Sequence, residues 1–329
     1  MTKTALILGA TGGVGGETAR ALARHGWHLR GLIRDRARAP ALPGLDWIEG
    51  DALDATTVTK AAEGCAVIVH AVNPPGYRDW PRLVLPMIEA TIAAATRHGA
   101  RIVLPGTIYN YPADGPRLLT EDAPQRAETV KGRLRIAMEH RLETSGLPAL
   151  ILRAGDFFGP RTGNSWFTQG LVKPGRPLAA VTWPGEAHVG HAWAYLPDVA
   201  ETLARLLDRE EELPPFARFH FDGHWFERGI GMAEAIRRVA GRPDLPIRRL
   251  PWWVLRLAAP AVPLFREILE MRYLWRVPLR LDNRRLVAFL GEEPHTPLDH
   301  ALRESLTALG CLAPSDQRQA LAQATPEVP

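Results

Sequence analysis

Thr4-Ala5-Leu6-Ile7-Leu8 runs straight into Gly9-Ala10-Thr11-Gly12-Gly13-Val14-Gly15, and a helical pattern begins at once. An apolar strand, a turn with glycines at 9, 12 and 15, and a helix place bare backbone N–H groups at a helix N-terminus. That end carries roughly half a positive charge, so a pyrophosphate can sit there. The glycines let the backbone approach phosphates and let the helix pack closely on the strand. A glycine triplet between a strand and a helix is far more specific than a triplet alone. Gly9, Thr11, Gly12, Gly13, Val14 and Gly15 are therefore candidate cofactor-binding residues.

Outward from this turn, the first half alternates strand and helix patterns. Val14 to His25 reads as a helix ended by Gly26, and His28 to Ile33 as a second strand. Asp46 to Glu49 predicts a third strand, and the apolar run Ala66 to His70 a fourth, covered on both faces. A helix over about Pro81 to His98 precedes Gly99, and Arg101 to Leu104 makes strand five. A helix is expected from about Gln125 to Thr144, closed by Gly146, then a strand over Pro148 to Leu152. Such alternation predicts an α/β fold: a Rossmann-type doubly wound parallel sheet, with its ligand at the carboxyl ends of the strands.

Past Arg153 the regularity fails, and a smaller mixed C-terminal substrate region is expected. The predicted division is a dinucleotide-binding domain over 1–165, completed by about 192–210, where a helix runs from about Asp198 to Arg209. Residues 166–191 and 211–313 then serve the substrate, with helical patterns near 231–240 and 263–275. The Ala-, Gln- and Pro-rich tail 314–329 is expected to fray.

Composition narrows the function. A chain of 329 residues, 46% hydrophobic and 23% charged, is ordinary for a globular protein. A net charge of +4 with scattered arginines gives little reason to expect nucleic acid as a partner, despite a pI near 9.3. Cys65 and Cys311 form no disulfide framework and no metal spacing, and no metal is expected. A strand beginning at residue 4 leaves no room for a signal peptide. Trp252 to Phe265 is too short, and too broken by Pro260 and Pro263, to span a bilayer. A cytoplasmic location without an integral membrane segment is the expectation. Within that stretch, Trp252-Trp253-Val254-Leu255-Arg256-Leu257 reads first as a core helix. A lid, a contact of a homodimer or a membrane-surface patch are the other readings.

Four further motifs fall at matching strand ends. They are Gly50-Asp51-Ala52-Leu53-Asp54, Val67-Ile68-Val69-His70-Ala71-Val72-Asn73-Pro74, Leu152-Arg153-Ala154-Gly155-Asp156-Phe157-Phe158-Gly159-Pro160 and Tyr195-Leu196-Pro197-Asp198-Val199-Ala200. In this order, over residues 4–200, the chain resembles an extended short-chain dehydrogenase/reductase of the epimerase/dehydratase-like branch. The resemblance implies that Asp51 and Ala52 lie at the adenine, and Ala71, Val72 and Asn73 beside the nicotinamide ribose. It also implies that Asp156 opens the substrate region.

About twenty residues past the turn, an acid would accept from a ribose 2′-hydroxyl, whereas an arginine would pair with a 2′-phosphate. Arg34-Asp35-Arg36 stands there, and the Arg34 guanidinium suits phosphate bidentately. NADP(H) is the expected cofactor; Asp35 keeps NAD(H) open, and a merely solvated loop is the plain alternative.

The catalytic centre departs from the family pattern of a Ser/Thr, then a Tyr with a Lys four residues on. Pro105-Gly106-Thr107-Ile108-Tyr109-Asn110-Tyr111 follows strand five, and Thr107 takes the Ser/Thr role in the preferred register. The other register puts Pro105 there, with Tyr109 as the nearby aromatic. In Thr129-Val130-Lys131-Gly132-Arg133-Leu134-Arg135-Ile136-Ala137-Met138-Glu139, alignment through the last three residues puts Lys131 at the tyrosine position and Arg135 at the lysine position. With Lys131 as the family lysine, Ala127 stands where tyrosine belongs. Neither register supplies a tyrosine.

Positions four apart share a helix face, so Lys131 and Arg135 reach the nicotinamide end together. A lysine beside a second cation, partly desolvated, becomes a proton donor near neutral pH. Alternatively both cations hold ribose and phosphate oxygens, or face solvent. Tyr109 and Tyr111 are further hydroxyl donors or packing groups. His188 and His191 read as polar substrate lining rather than a metal pair, and Asp156 as a substrate-orienting or loop-capping group. Trp166, Trp183 and Trp193 are expected over the nicotinamide or in the core.

Three functions fit these residues. The first is an NADP(H)-dependent oxidoreductase of a small carbonyl or alcohol, with Thr107, Tyr109, Lys131 and Arg135 as candidate catalytic groups. The second is an epimerase or dehydratase that regenerates its nucleotide. The third is a non-catalytic dinucleotide-binding redox sensor.

Overall fold

In a computed structural model of the chain, residues 3–74 and 79–312 are described. The tail 314–329, expected to fray, lies outside the described residues. Seven parallel strands form the central sheet: β1 (Thr4–Leu8), β2 (His28–Ile33), β3 (Leu45–Glu49), β4 (Val67–His70), β5 (Arg101–Thr107), β7 (Ala149–Ala154) and β11 (Phe216–His220). Their spatial order is β11-β7-β5-β4-β1-β2-β3. The order reverses between β1 and β4, where Ala5 pairs with Val67 and Leu8 with His70. A doubly wound sheet opens a ligand crevice at that point.

The central strands are buried along nearly their whole length, as a sheet covered on both faces requires. Helices α1 (Gly13–Arg24) and α5 (Leu196–Asp208) pack together on one face. Helices α2 (Ala55–Ala61), α3 (Trp80–His98) and α4 (Val130–Thr144) cover the other. Gly99 ends α3 in the left-handed conformation, φ 68°, that glycine adopts freely.

Two expectations are corrected. The fourth helix starts at Val130 rather than near Gln125, because the Thr129 hydroxyl accepts from the Gly132 amide at 3.0 Å and caps it. The seventh strand, Phe216–His220, comes from the stretch assigned to the substrate: Phe216 pairs with Ala149 and His220 with Arg153, extending the sheet at its edge.

The remaining elements form a smaller region beside the carboxyl ends of the strands. Strands β8 (Asp156–Phe158), β10 (His191–Tyr195) and β12 (His224–Phe226) make a three-stranded sheet. Strand β9 (Val181–Trp183) pairs with β13 (Ile247–Arg249), and β6 (Leu118–Leu119) with β14 (Arg280–Leu281). Helices α6 (Gly231–Val239), α7 (Trp252–Ala258), α8 (Pro263–Glu270), α9 (Arg284–Leu290) and α10 (Leu298–Ala308) complete it. The pattern expected near 263–275 divides into α8 and a 3-10 turn, Met271–Trp275. Trp183, Trp193 and Trp275 are buried here, so Trp183 and Trp193 are core residues.

A buried polar network ties strand β5, helix α4 and the sheet edge together. Arg153, fully buried, donates through Nε to Glu139 Oε1 at 3.0 Å, and its guanidinium also reaches the Tyr111 hydroxyl. The Tyr111 hydroxyl meets His220 Nε2 at 3.1 Å, and Asn110 Nδ2 donates to Glu139 Oε1 at 2.8 Å. Burial pushes the Tyr111 hydroxyl up to about 12. Tyr111, one of the two expected hydroxyl donors, is thus a core group.

Cutting this network leaves a buried guanidinium uncompensated. Glu139→Gln is expected to lower stability by about 3–5 kcal/mol in urea unfolding, and a change below about 1 kcal/mol removes the network from the account. His220 reports on the same region. Burial and then the Arg153 charge press its pKa down to about 3. Between that value and an unfolded value near 6.5, the unfolded chain binds the proton that folded His220 refuses. Stability therefore falls as pH drops through this window and recovers above it. His220→Gln is expected to remove about 1.4 kcal/mol per pH unit from the slope of stability between about pH 4 and 6.

Candidate functional site

The glycine turn forms one end of a cavity of about 1250 Å³ at the strand carboxyl ends. Its close approaches require glycine. Gly9 has φ 90°, and a Cβ there would meet the Ala71 oxygen at 2.6 Å. A Cβ on Gly15 would sit 2.3 Å from the Gly9 oxygen, and one on Gly13 would sit 2.4 Å from the Thr162 oxygen. The Gly12 amide donates to the Gly9 oxygen at 2.9 Å, and Gly12 precedes the first turn of α1. Gly9, Thr11, Gly12, Gly13 and Val14 line the cavity; Gly15 lies behind, holding helix to strand. The loop at Thr162 is fastened over the turn by Arg161, whose Nε donates to Glu17 Oε1 at 2.6 Å. A helix N-terminus with this cradle fits a dinucleotide pyrophosphate.

The other expected cofactor residues converge on the same cavity: Arg34 from the end of β2, Asp51 and Ala52 after β3, and Ala71, Val72 and Asn73 after β4. Asp51 accepts from the Leu53 amide at 3.0 Å, which fixes the loop. Asp35 is spent locally. Its carboxylate accepts from the Ala37 amide at 3.0 Å and pairs with Arg38 at 3.2 Å. Arg34, Asp35 and Arg38 all border the cavity.

The candidate catalytic residues also meet here. Thr107, Tyr109, Lys131, Arg135 and Asp156 line one continuous wall. Thr107 ends β5 beside Ala154 of β7, and its hydroxyl accepts from the Tyr109 amide at 3.3 Å. Arg135 Nη2 donates to Asn73 Oδ1 at 2.9 Å and stacks over Trp80, 5.3 Å from the ring centre. The Arg135 charge and, more strongly, burial hold nearby His70 down to about 3, so that imidazole is neutral at pH 7.

Lys131 differs from expectation in its company. Its buried ammonium is held by two carboxylates of α8, Glu267 Oε2 and Glu270 Oε2, the latter at 2.6 Å. The Lys131 amide also donates to Glu270 Oε1 at 3.0 Å. Arg135, the cation expected beside it, turns instead to Asn73. The two glutamates escaped the sequence reading because they lie 136 and 139 positions away. Their i, i+3 spacing on α8 was the available signal.

The two histidines separate. His188 stands exposed on a turn away from the cavity, whereas His191 is buried on β10. The expected pairing of the two as substrate lining is therefore corrected. His191 lies behind Asp156, its Nε2 2.8 Å from Asp156 Oδ2, and stacks on Trp275 at 4.1 Å. It orients Asp156 rather than lining the cavity. Trp166 does line it, joined by Leu250, Leu255, Leu264, Phe265, Ile268 and Met271 from α7, α8 and their flanks. Trp166 was an expected roof residue; the others were missed, since Trp252–Leu257 read first as a core helix and 263–275 only as a helical pattern.

Gly15→Ala tests the cradle: the forced shift of the Gly9 carbonyl is expected to cost about 1–3 kcal/mol of stability and to weaken dinucleotide binding in a fluorescence titration. Unchanged affinity would remove the turn from the binding site.

Known proteins agree with this geometry. A family model described as NAD(P)H-binding matches residues 9–176. A Streptomyces protein named 3-diazoavenalumate denitrifying reductase is 30% identical over 179 residues, 48% of this chain. The chain spans 57% of that relative's length. Among solved structures, UDP-glucose 4-epimerase from Brucella ovis superposes with a TM-score of 0.74 at 16% identity, covering 94% of this chain and 99% of that one. DesIV, a dTDP-glucose 4,6-dehydratase from Streptomyces venezuelae, superposes with a TM-score of 0.72 at 15% identity, covering 93% and 96%. These structural likenesses show a shared fold, the seven-stranded parallel sheet with its smaller C-terminal region. The chain belongs to the NAD(P)H-binding family.

Proposed function

We propose that the protein is an NADP(H)-dependent reductase of a small, largely apolar carbonyl compound. The observation that carries this reading is the apolar lining: Trp166, Leu250, Leu255, Leu264, Phe265 and Ile268 line the same cavity as Thr107, Lys131 and Asp156. An apolar chamber with a few convergent polar groups suits an apolar substrate with one reacting oxygen. Among the described lining residues the cations are Arg34, Arg38, Lys131 and Arg135. None comes from the roof, where a sugar nucleotide would need a partner for its own diphosphate. This speaks against the epimerase or dehydratase reading. The name of the Streptomyces relative, a reductase, supports redox chemistry.

Bound NADPH supplies the hydride. Thr107 then donates a hydrogen bond to the carbonyl oxygen, and the Lys131 ammonium stabilises its growing negative charge and delivers the proton from Nζ. Glu267, a third exposed on its side chain, returns a proton to Lys131 from solvent. Lys131 so replaces the family tyrosine, and Arg135 holds Asn73 at the ribose. Arg34 selects the 2′-phosphate, because Asp35 is engaged by Ala37 and Arg38.

Two variants test this. Arg34→Ala is expected to raise KM for NADPH by about tenfold or more while leaving NADH unaffected; equal effects on both would overturn the NADP(H) preference. Lys131→Met is expected to lower kcat by about 10²- to 10⁴-fold with NADPH affinity retained. Lost affinity with kcat intact would instead assign Lys131 to the ribose. Tight NADPH binding without turnover of any carbonyl, alcohol or sugar nucleotide would favour a sensor.

A further inference from the structure

Nine large hydrophobic side chains are exposed among the described residues, and five of them fall within twelve positions: Trp253, Val254, Leu257, Val262 and Leu264. Trp253 and Leu257 are 69% and 73% exposed, more than any other in that group. The first turns of α7 divide cleanly. Leu255 is buried, and Trp252 donates through Nε1 to the Pro184 oxygen at 2.7 Å and packs against Trp166. Trp253, Val254 and Leu257 point the other way. This corrects the expectation of a plain core helix, since only one side of α7 is core.

The surroundings of this face are cationic. Arg256 follows Trp253 by one helical turn, and Arg266 is exposed on α8. Arg272 stacks over Trp252 at 5.1 Å. Burial and the charges of Arg276 and Arg256 press its pKa down. The carboxylates of α8, Glu267 and Glu270, are both committed to Lys131. Glu186, which pairs with Arg249 at 3.7 Å, is the acidic group that also faces Arg272.

We propose that the outward face of α7 and α8 docks on an anionic phospholipid bilayer. Trp253, Val254 and Leu257 enter the headgroup level, and Arg256 and Arg266, exposed on the same two helices, meet lipid phosphates. Aromatic and branched apolar side chains beside arginines are the composition of an interfacial helix. A second copy of the chain fits less well. The exposed arginines find complementary charge in lipid phosphates, whereas the carboxylates of α8 that a second copy would bring are committed to Lys131. Leu264 is both exposed and part of the cavity wall, so the docked face adjoins the roof of the chamber.

Flotation of the full chain with vesicles tests this, comparing phosphatidylcholine alone with phosphatidylcholine containing phosphatidylglycerol. The expected result is recovery with the anionic vesicles, a blue shift in tryptophan fluorescence, and release by salt. The double variant Trp253→Ser, Leu257→Ser is expected to weaken partition by about tenfold or more with thermal midpoint and dinucleotide affinity unchanged. Arg256→Gln with Arg266→Gln is expected to reduce the anionic preference. Absence of binding, equal binding to both vesicle types, or partition unaffected by the Ser variant would overturn the proposal. So would a dimer in sedimentation velocity that the Ser variant dissociates.

Discussion

Lys131 makes three hydrogen bonds to one helix, α8, and the arrangement of the site follows from them. Its backbone amide and its ammonium both reach Glu270, and the ammonium also reaches Glu267. One residue on the first turn of α4 thus fastens α8, which sits far along the chain, across the mouth of the sheet. A buried ammonium without partners would be costly, and removing one partner of such a group is strongly destabilising. The requirement to pair Lys131 therefore fixes where α8 lies. With α8 in place, Phe265, Ile268 and Met271 fall over the cavity as its roof. The charge that marks the site chemically also builds its shape.

The nucleotide half was legible in the sequence because its determinants are local. The glycine turn sits in one strand–turn–helix unit, and a Cβ added at Gly9, Gly13 or Gly15 would lie 2.6 Å or less from the backbone oxygen of Ala71, Thr162 or Gly9. Strand β4 announces its burial through an unbroken apolar run, and Gly99 announces the end of α3 through its positive φ. Arg34 follows from its distance past the glycine turn, whereas Asp51 and Asn73 came from the family resemblance; all three line the cavity.

The substrate half depends on partners that no short window contains. Tyr109 and Tyr111 are two residues apart and look equivalent, yet one lines the cavity and the other is buried. What separates them is Arg153 from β7 and His220 from β11, both arriving from distant strands. His188 and His191 divide for a similar reason. His191 lies on a buried strand opposite Asp156, and His188 lies on the turn before it. Helix α7 was read as core from its composition, whereas its exposed face becomes visible only when Leu255 and Trp252 find their packing partners. Residue type was read correctly in each case; its neighbours decided its role.

The two halves impose opposite demands on charge, and the chain meets them with different residue types. After β2, Arg34 and Arg38 stand near solvent, where a fixed cation attracts phosphate and loses little by being hydrated. At the reacting end a free cation would attract any anion, and an apolar roof would make its desolvation costly. There Lys131 is neutralised by glutamates and Arg135 is anchored to Asn73, so positive charge is present but already directed. Asp156 is directed in the same way by His191, itself braced flat against Trp275. Loose charge at one end and tethered charge at the other would suit the proposed pairing of a polyanionic cofactor with an apolar reactant in one cavity.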